Sequence, residues 1–69
     1  MSISRLVAYS KGIKFLIEGE YPGIGAYLYI YKDNKCIRDE IQDTIEICKD
    51  IAFENYNVPL DSWKKIKTN

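Results

Sequence analysis

Apolar and polar positions alternate strictly through Ala26-Tyr27-Leu28-Tyr29-Ile30-Tyr31-Lys32, which predicts a strand with two unlike sides. Ala26, Leu28 and Ile30 point one way, and Tyr27, Tyr29 and Tyr31 point the other. The same period of two runs through Arg5–Ser10 and Ile13–Tyr21. Between these two, Lys11-Gly12 reads as a two-residue hairpin link, its glycine free to take positive φ. That link sets Leu6 opposite Ile17 and Ala8 opposite Phe15 on one face. Val7 with Leu16, Tyr9 with Lys14, and Arg5 with Glu18 then share the other. A three-residue loop with Gly12 as a bulge would shift the register, but it gathers the apolar residues less well.

Tyr21-Pro22-Gly23-Ile24 is a turn, with proline setting its first corner and glycine supplying positive φ at the second. Asp33-Asn34 predicts another tight hairpin. It pairs Ile30 with Ile37 and Ala26 with Ile41 on the aliphatic side. On the tyrosine side it pairs Tyr31 with Cys36, Tyr29 with Arg38 and Tyr27 with Glu40. Asp43-Thr44-Ile45-Glu46 has the form of a capping box, with Asp43 as N-cap. A helix from Thr44 to about Tyr56 would bury Ile45, Ile47, Cys48, Ile51, Ala52 and Tyr56, with Phe53 at the edge of that stripe. Asn57 suits the C′ position, Val58 can fold back on the last turn, and Pro59 ends the helix. Leu60 and Trp63 are expected to return to the end of the core. Lys64–Asn69 is a frayed tail or a brief edge segment. The sum is an α+β two-layer sandwich: a four-stranded antiparallel β-meander with one C-terminal helix on one face, ββββα.

The 69 residues make a single small domain over 1–69, a size at which one core is only marginally stable and a partner chain is common. No apolar run spans a bilayer, and Met1-Ser2-Ile3-Ser4-Arg5 lacks the apolar core of a signal peptide, so the expected location is a cytoplasm, of bacterial type. Cys36 and Cys48 should be free thiols on opposite sides of the sheet. With no histidine, zinc lacks ligands. Calcium-loop spacing is missing around Asp39, Glu40 and Asp43, and Cys36 has no base to activate it. No cofactor, metal or catalytic residue is expected, and the chain is read as a non-enzyme.

Charge sums to zero but is segmented. Residues 1–38 carry six Lys/Arg against three Asp/Glu, residues 39–61 carry seven acids against Lys49, and residues 62–69 carry three lysines. Two binding surfaces follow. The first is a sheet face of Val7, Tyr9, Leu16, Tyr27, Tyr29, Tyr31 and Arg38, which the lone helix cannot cover and which suits a protein interface. A tyrosine face can also simply meet water, since the hydroxyl is solvated and the ring favours strands. The second is an acidic side of Asp39, Glu40, Asp43, Glu46, Asp50 and Glu54, which would steer a basic partner, as carboxylate-rich nuclease inhibitors do. Taken singly, such charges are ordinarily a helix's solvated face.

From Glu18 to Trp63 the chain resembles a group of small, mostly uncharacterised bacterial proteins. The resemblance lies in Gly25–Tyr31, Asp39–Glu46, Phe53-Glu54, Val58-Pro59 and Trp63. Some proteins of that look resemble immunity proteins of bacterial toxin systems. The likeness implies an immunity role and carries no catalytic residue across. The reading is a protein-binding module, immunity- or inhibitor-like toward a basic partner through the acidic side. The alternative is a homodimeric structural or regulatory protein packed through the tyrosine face. A single-stranded nucleic-acid binder comes third. Stacking rings with Lys14, Lys35 and Arg38 nearby suit it, but zero net charge argues against strong phosphate binding.

Overall fold

A computed structural model describes residues 3–66. The chain runs β1 (Ser4–Ser10), β2 (Ile13–Tyr21), β3 (Gly25–Lys32), β4 (Lys35–Gln42), α1 (Ile45–Tyr56) and β5 (Lys64–Ile66). The sheet is five-stranded and antiparallel throughout, in the order β4-β3-β2-β1-β5. The expected four-strand meander thus gains a fifth strand. The last segment pairs with the edge of β1, placing Ile66 opposite Arg5 and Lys64 opposite Val7. Residues 67–69 of that segment lie outside the described residues.

The first hairpin has the expected register, from Arg5↔Glu18 through Tyr9↔Lys14. Lys11 and Gly12 both take positive φ, 53° and 79°, as a twist-matched two-residue turn requires. Ile24 N–H donates to the Tyr21 carbonyl across the Pro22-Gly23 turn at 3.0 Å. The core forms on one side of the sheet. Ala8, Phe15, Ile17, Ala26, Leu28 and Ile30 lie against Cys48 and Ala52 of α1, with Val58 closing the end. Phe15 meets the Tyr56 ring with centroids 5.3 Å apart.

The β3–β4 register departs from expectation. Lys32↔Lys35 and Tyr31↔Cys36 obey the two-residue Asp33-Asn34 turn, but Ile30 pairs with Arg38. Ile37 is therefore an extra residue, a β-bulge, and beyond it every β4 side chain changes sides. Arg38, Glu40 and Gln42 stand on the helix side, while Asp39 and Ile41 join the tyrosines. The predicted pairs Ile30–Ile37, Ala26–Ile41, Tyr29–Arg38 and Tyr27–Glu40 do not form. The physical reason is that β4 is an edge strand and α1 packs mainly over β2 and β3. Its helix-side positions are only partly covered, so Arg38 stays half exposed and pairs with the more buried Glu40. Arg38 Nε lies 2.6 Å from Glu40 Oε2, and Gln42 Nε2 donates to Glu40 Oε1 at 3.2 Å. A bulge also bends an edge away from stray strand pairing.

The helix starts one residue later than the capping-box reading places it. Thr44, not Asp43, is the N-cap: Ile47 N–H donates to Thr44 Oγ1 at 3.1 Å. Glu46 makes no capping-box return. A carboxylate from the sheet caps instead, with Ile45 N–H donating to Glu20 Oε2 at 2.9 Å. This satisfies a second orphan donor and sets negative charge at the positive end of the helix dipole. At the other end Asn57 takes the left-handed conformation, φ 58°. Val58 N–H reaches the Ala52 carbonyl, and Val58 is fully buried. Ile47, Phe53 and Leu60 are exposed, so Leu60 does not rejoin the core. Trp63 does pack against it.

Both cysteines are free, Cys36 exposed and Cys48 buried on the sheet-facing side of α1. Burial pushes the Cys48 thiol up to about 11, with Glu40 and Glu20 adding to the effect. An unfolded thiol ionises first as pH rises, so this group's contribution to stability is intact below pH 9 and is lost between there and about 11. Thermal melts should fall over that interval, and Cys48→Ala should flatten the decline. At pH 8 an alkylating reagent should modify Cys36 and reach Cys48 only on unfolding, as peptide mass mapping would read. Equal modification rates would contradict this burial.

Candidate binding face

The side of the sheet opposite α1 has no element over it among the described residues. Register places its side chains in three rows that cross the strands. The first row holds Cys36, Tyr31, Lys14 and Tyr9. The middle row holds Asp39, Tyr29, Leu16, Val7 and Lys64. The third holds Ile41, Tyr27, Glu18, Arg5 and Ile66.

The rings form a continuous ladder. Tyr21 meets Tyr27 edge-on at 5.7 Å between centroids, Tyr27 stacks on Tyr29 at 5.9 Å, and Tyr29 leans on Tyr31 at 6.5 Å. A register shift in β2 after Glu18 turns Tyr21 to this side. There its hydroxyl donates to Glu18 Oε1 at 2.9 Å. Arg5 Nε holds the other oxygen, Glu18 Oε2, at 2.7 Å. The Tyr21–Glu18 hydrogen bond is the main reason the Tyr21 hydroxyl is harder to ionise than usual; for Tyr29 the main reason is desolvation, followed by the Glu18 charge. Lys14 Nζ sits 5.7 Å from the centre of the Tyr31 ring, a cation–π contact.

Of the sheet residues expected here, Val7, Leu16, Tyr27, Tyr29 and Tyr31 are half-buried by one another, and Tyr9 is 67% exposed. Arg38 is not among them, because the bulge carries it to the helix side and leaves Asp39 opposite Tyr29. The expected Tyr29–Arg38 cation–π contact is replaced by Lys14 and Tyr31. Lys64, Ile66, Ile41 and Tyr21 are additions that sequence reasoning missed. Lys14, Glu18 and Arg5 could have been named, since the first hairpin already placed all three on this side.

The acidic residues do not gather on one surface. Asp39 belongs to the tyrosine side and Glu40 to the helix side, where it is tied to Arg38. Asp43 is exposed in the link before α1, and Glu46, Asp50 and Glu54 run along the exposed side of α1. Among the described residues no group of His, Cys, Asp or Glu is placed to hold a metal, and no helix is long and apolar enough to cross a membrane. The depressions on the open side are shallow. One lies between the hairpin turns, among Tyr9, Lys14, Tyr31 and Asn34, and another beside Tyr27, Tyr29 and Ile41. No known protein family, curated protein or solved structure matches this chain.

Proposed function

We propose that this chain is a non-enzymatic protein-binding module whose working surface is the open tyrosine face. The observation that carries the reading is the unbroken ladder Tyr21–Tyr27–Tyr29–Tyr31 beside Leu16, Val7 and Ile41, with nothing packed on it among the described residues. Aromatic rings with apolar neighbours and few free charges are the composition of an interface core. Arg5 is held by Glu18, and the remaining Lys14, Lys64 and Asp39 sum to a single positive charge. That leaves little net attraction for phosphates, so single-stranded nucleic acid fits less well.

A second reading uses the exposed Glu46, Asp50 and Glu54 row of α1 to engage a basic partner, in an immunity- or inhibitor-like role. It is supported by the charge along α1, where Glu46, Asp50 and Glu54 are set against Lys49 alone.

Hydroxyl-radical footprinting separates the two. The dilute purified chain is compared with the same concentration in extract of its native cell. Oxidation of Tyr27, Tyr29, Tyr31 and Leu16 should fall several-fold in the extract, while Phe53 and Ile47 on α1 stay unchanged. Protection confined to α1 would replace the sheet reading with the acidic one.

A further inference from the structure

We infer that the occupant of the open face is a second copy of this chain, packed face to face about a two-fold axis that crosses the strands along the middle row. The inference rests on the reading of that face as the working surface and adds the partner and its orientation.

The open face is complementary to itself. A two-fold contact sets one surface against itself, so each residue meets the position to which the axis carries it. An axis along the middle row sets Tyr29, Leu16 and Val7 on their own copies, an apolar centre. It also exchanges the first row with the third. Lys14 then lies over Glu18 of the second copy, Tyr31 over Tyr27, and Tyr9 over Arg5, with each contact made twice. These pairings join a cation to an anion, ring to ring, and a guanidinium to an exposed ring. Among the charged residues, only Asp39 and Lys64 meet their own copies. Both are exposed on the outer strands of the sheet, where salt screens repulsion.

The other face-to-face axis runs along β2, the middle strand. It sets Asp39 over Lys64 at the rim, where water screens the attraction, but Lys14 on Lys14 and Glu18 on Glu18 near the centre of the contact, where like charges repel most. The central charges of this face therefore choose between the two dimers. Packed sheets sit about 10 Å apart with strands within about 30° of alignment, so these rows meet approximately as described. Five strands about 4.8 Å apart and three rows about 6.7 Å apart give a face of roughly 20 by 20 Å. Two such faces bury on the order of 1,000 Å², the low end for a specific interface. The dimer should accordingly dissociate on dilution.

Sedimentation velocity of the full chain from micromolar to millimolar concentration should show the mean mass rising from monomer to twice that value. Lys14→Glu and Glu18→Lys, each alone, should raise the dissociation constant about tenfold or more. Mixed in equal amounts, the two variants should restore association, because each introduced charge then meets its opposite. Circular dichroism and melting of each variant establish that it is folded, and Lys64→Glu, at the rim, serves as a control with little expected effect. Monomer at every concentration would overturn self-association, yet protection of the tyrosines in extract would then still stand and leave the face to a different protein. A dimer whose variants fail to restore each other would overturn the axis. A chain that stays monomeric but shifts a labelled oligothymidine in low salt would overturn both the partner and the protein reading.

Discussion

Phe15→Ala should cost about 3–5 kcal/mol, the range for emptying a fully buried aromatic site. Phe15 has no solvent exposure, sits on the central strand β2, and packs against Tyr56 of α1. Only a few small residues, Ala8 and Ala52 among them, line the same core, so little can collapse into the space. A chain of 69 residues commonly has a total stability of roughly 3–10 kcal/mol. The variant should therefore lose about a third or more of that stability, and toward the low end of the range it unfolds at ambient temperature and takes the open face with it. Urea unfolding followed by circular dichroism reads this, and a midpoint shift equivalent to less than about 1.5 kcal/mol would place Phe15 outside the core.

The second large effect belongs to Gly25, where β3 begins. Its φ is +118°, a region that side chains rarely adopt, and an added Cβ would stand 2.1 Å from the Gln42 carbonyl oxygen. The obstacle is backbone on both sides, so no rotamer change relieves it. Gly25→Ala should destabilise by at least about 3 kcal/mol, combining strained dihedrals with forced separation of β3 from the end of β4. That separation would move Ile41 away from Tyr27 and break the open face at its edge. Amide exchange should then show β4 released first. An alanine variant whose β4 amides exchange no faster than in the parent would refute the close approach.

The first hairpin, the Pro22-Gly23 turn and the tyrosine side of β3 were readable from residue order alone, because each depends on neighbours. Alternation sorts the faces, and Lys11-Gly12 sets a pairing that then propagates residue by residue. The end of α1 was equally readable, since Asn57, Val58 and Pro59 act within one turn. The start of the helix was not. Its second cap, Glu20, lies 25 positions away and reaches Ile45 only through the packing of sheet and helix.

The bulge at Ile37 is the instructive failure. In Cys36-Ile37-Arg38-Asp39-Glu40-Ile41 the isoleucines are four apart, a spacing that satisfies the pleat on either side of the sheet. Ile37 and Ile41 are each about half exposed, so burial of β4 favours neither side strongly. What selects the side is the polar chain Arg38–Glu40–Gln42, made possible by an edge position that the helix leaves uncovered. Which strand lies at the edge, and what the last residues pair with, depends on where distant segments come to rest. Local order thus specifies the strands, the turns and the side of β3 that carries the rings. Assembly of the whole chain moves Arg38 off that side, brings Asp39, Ile41 and Lys64 onto it, and sets the rows in which they lie.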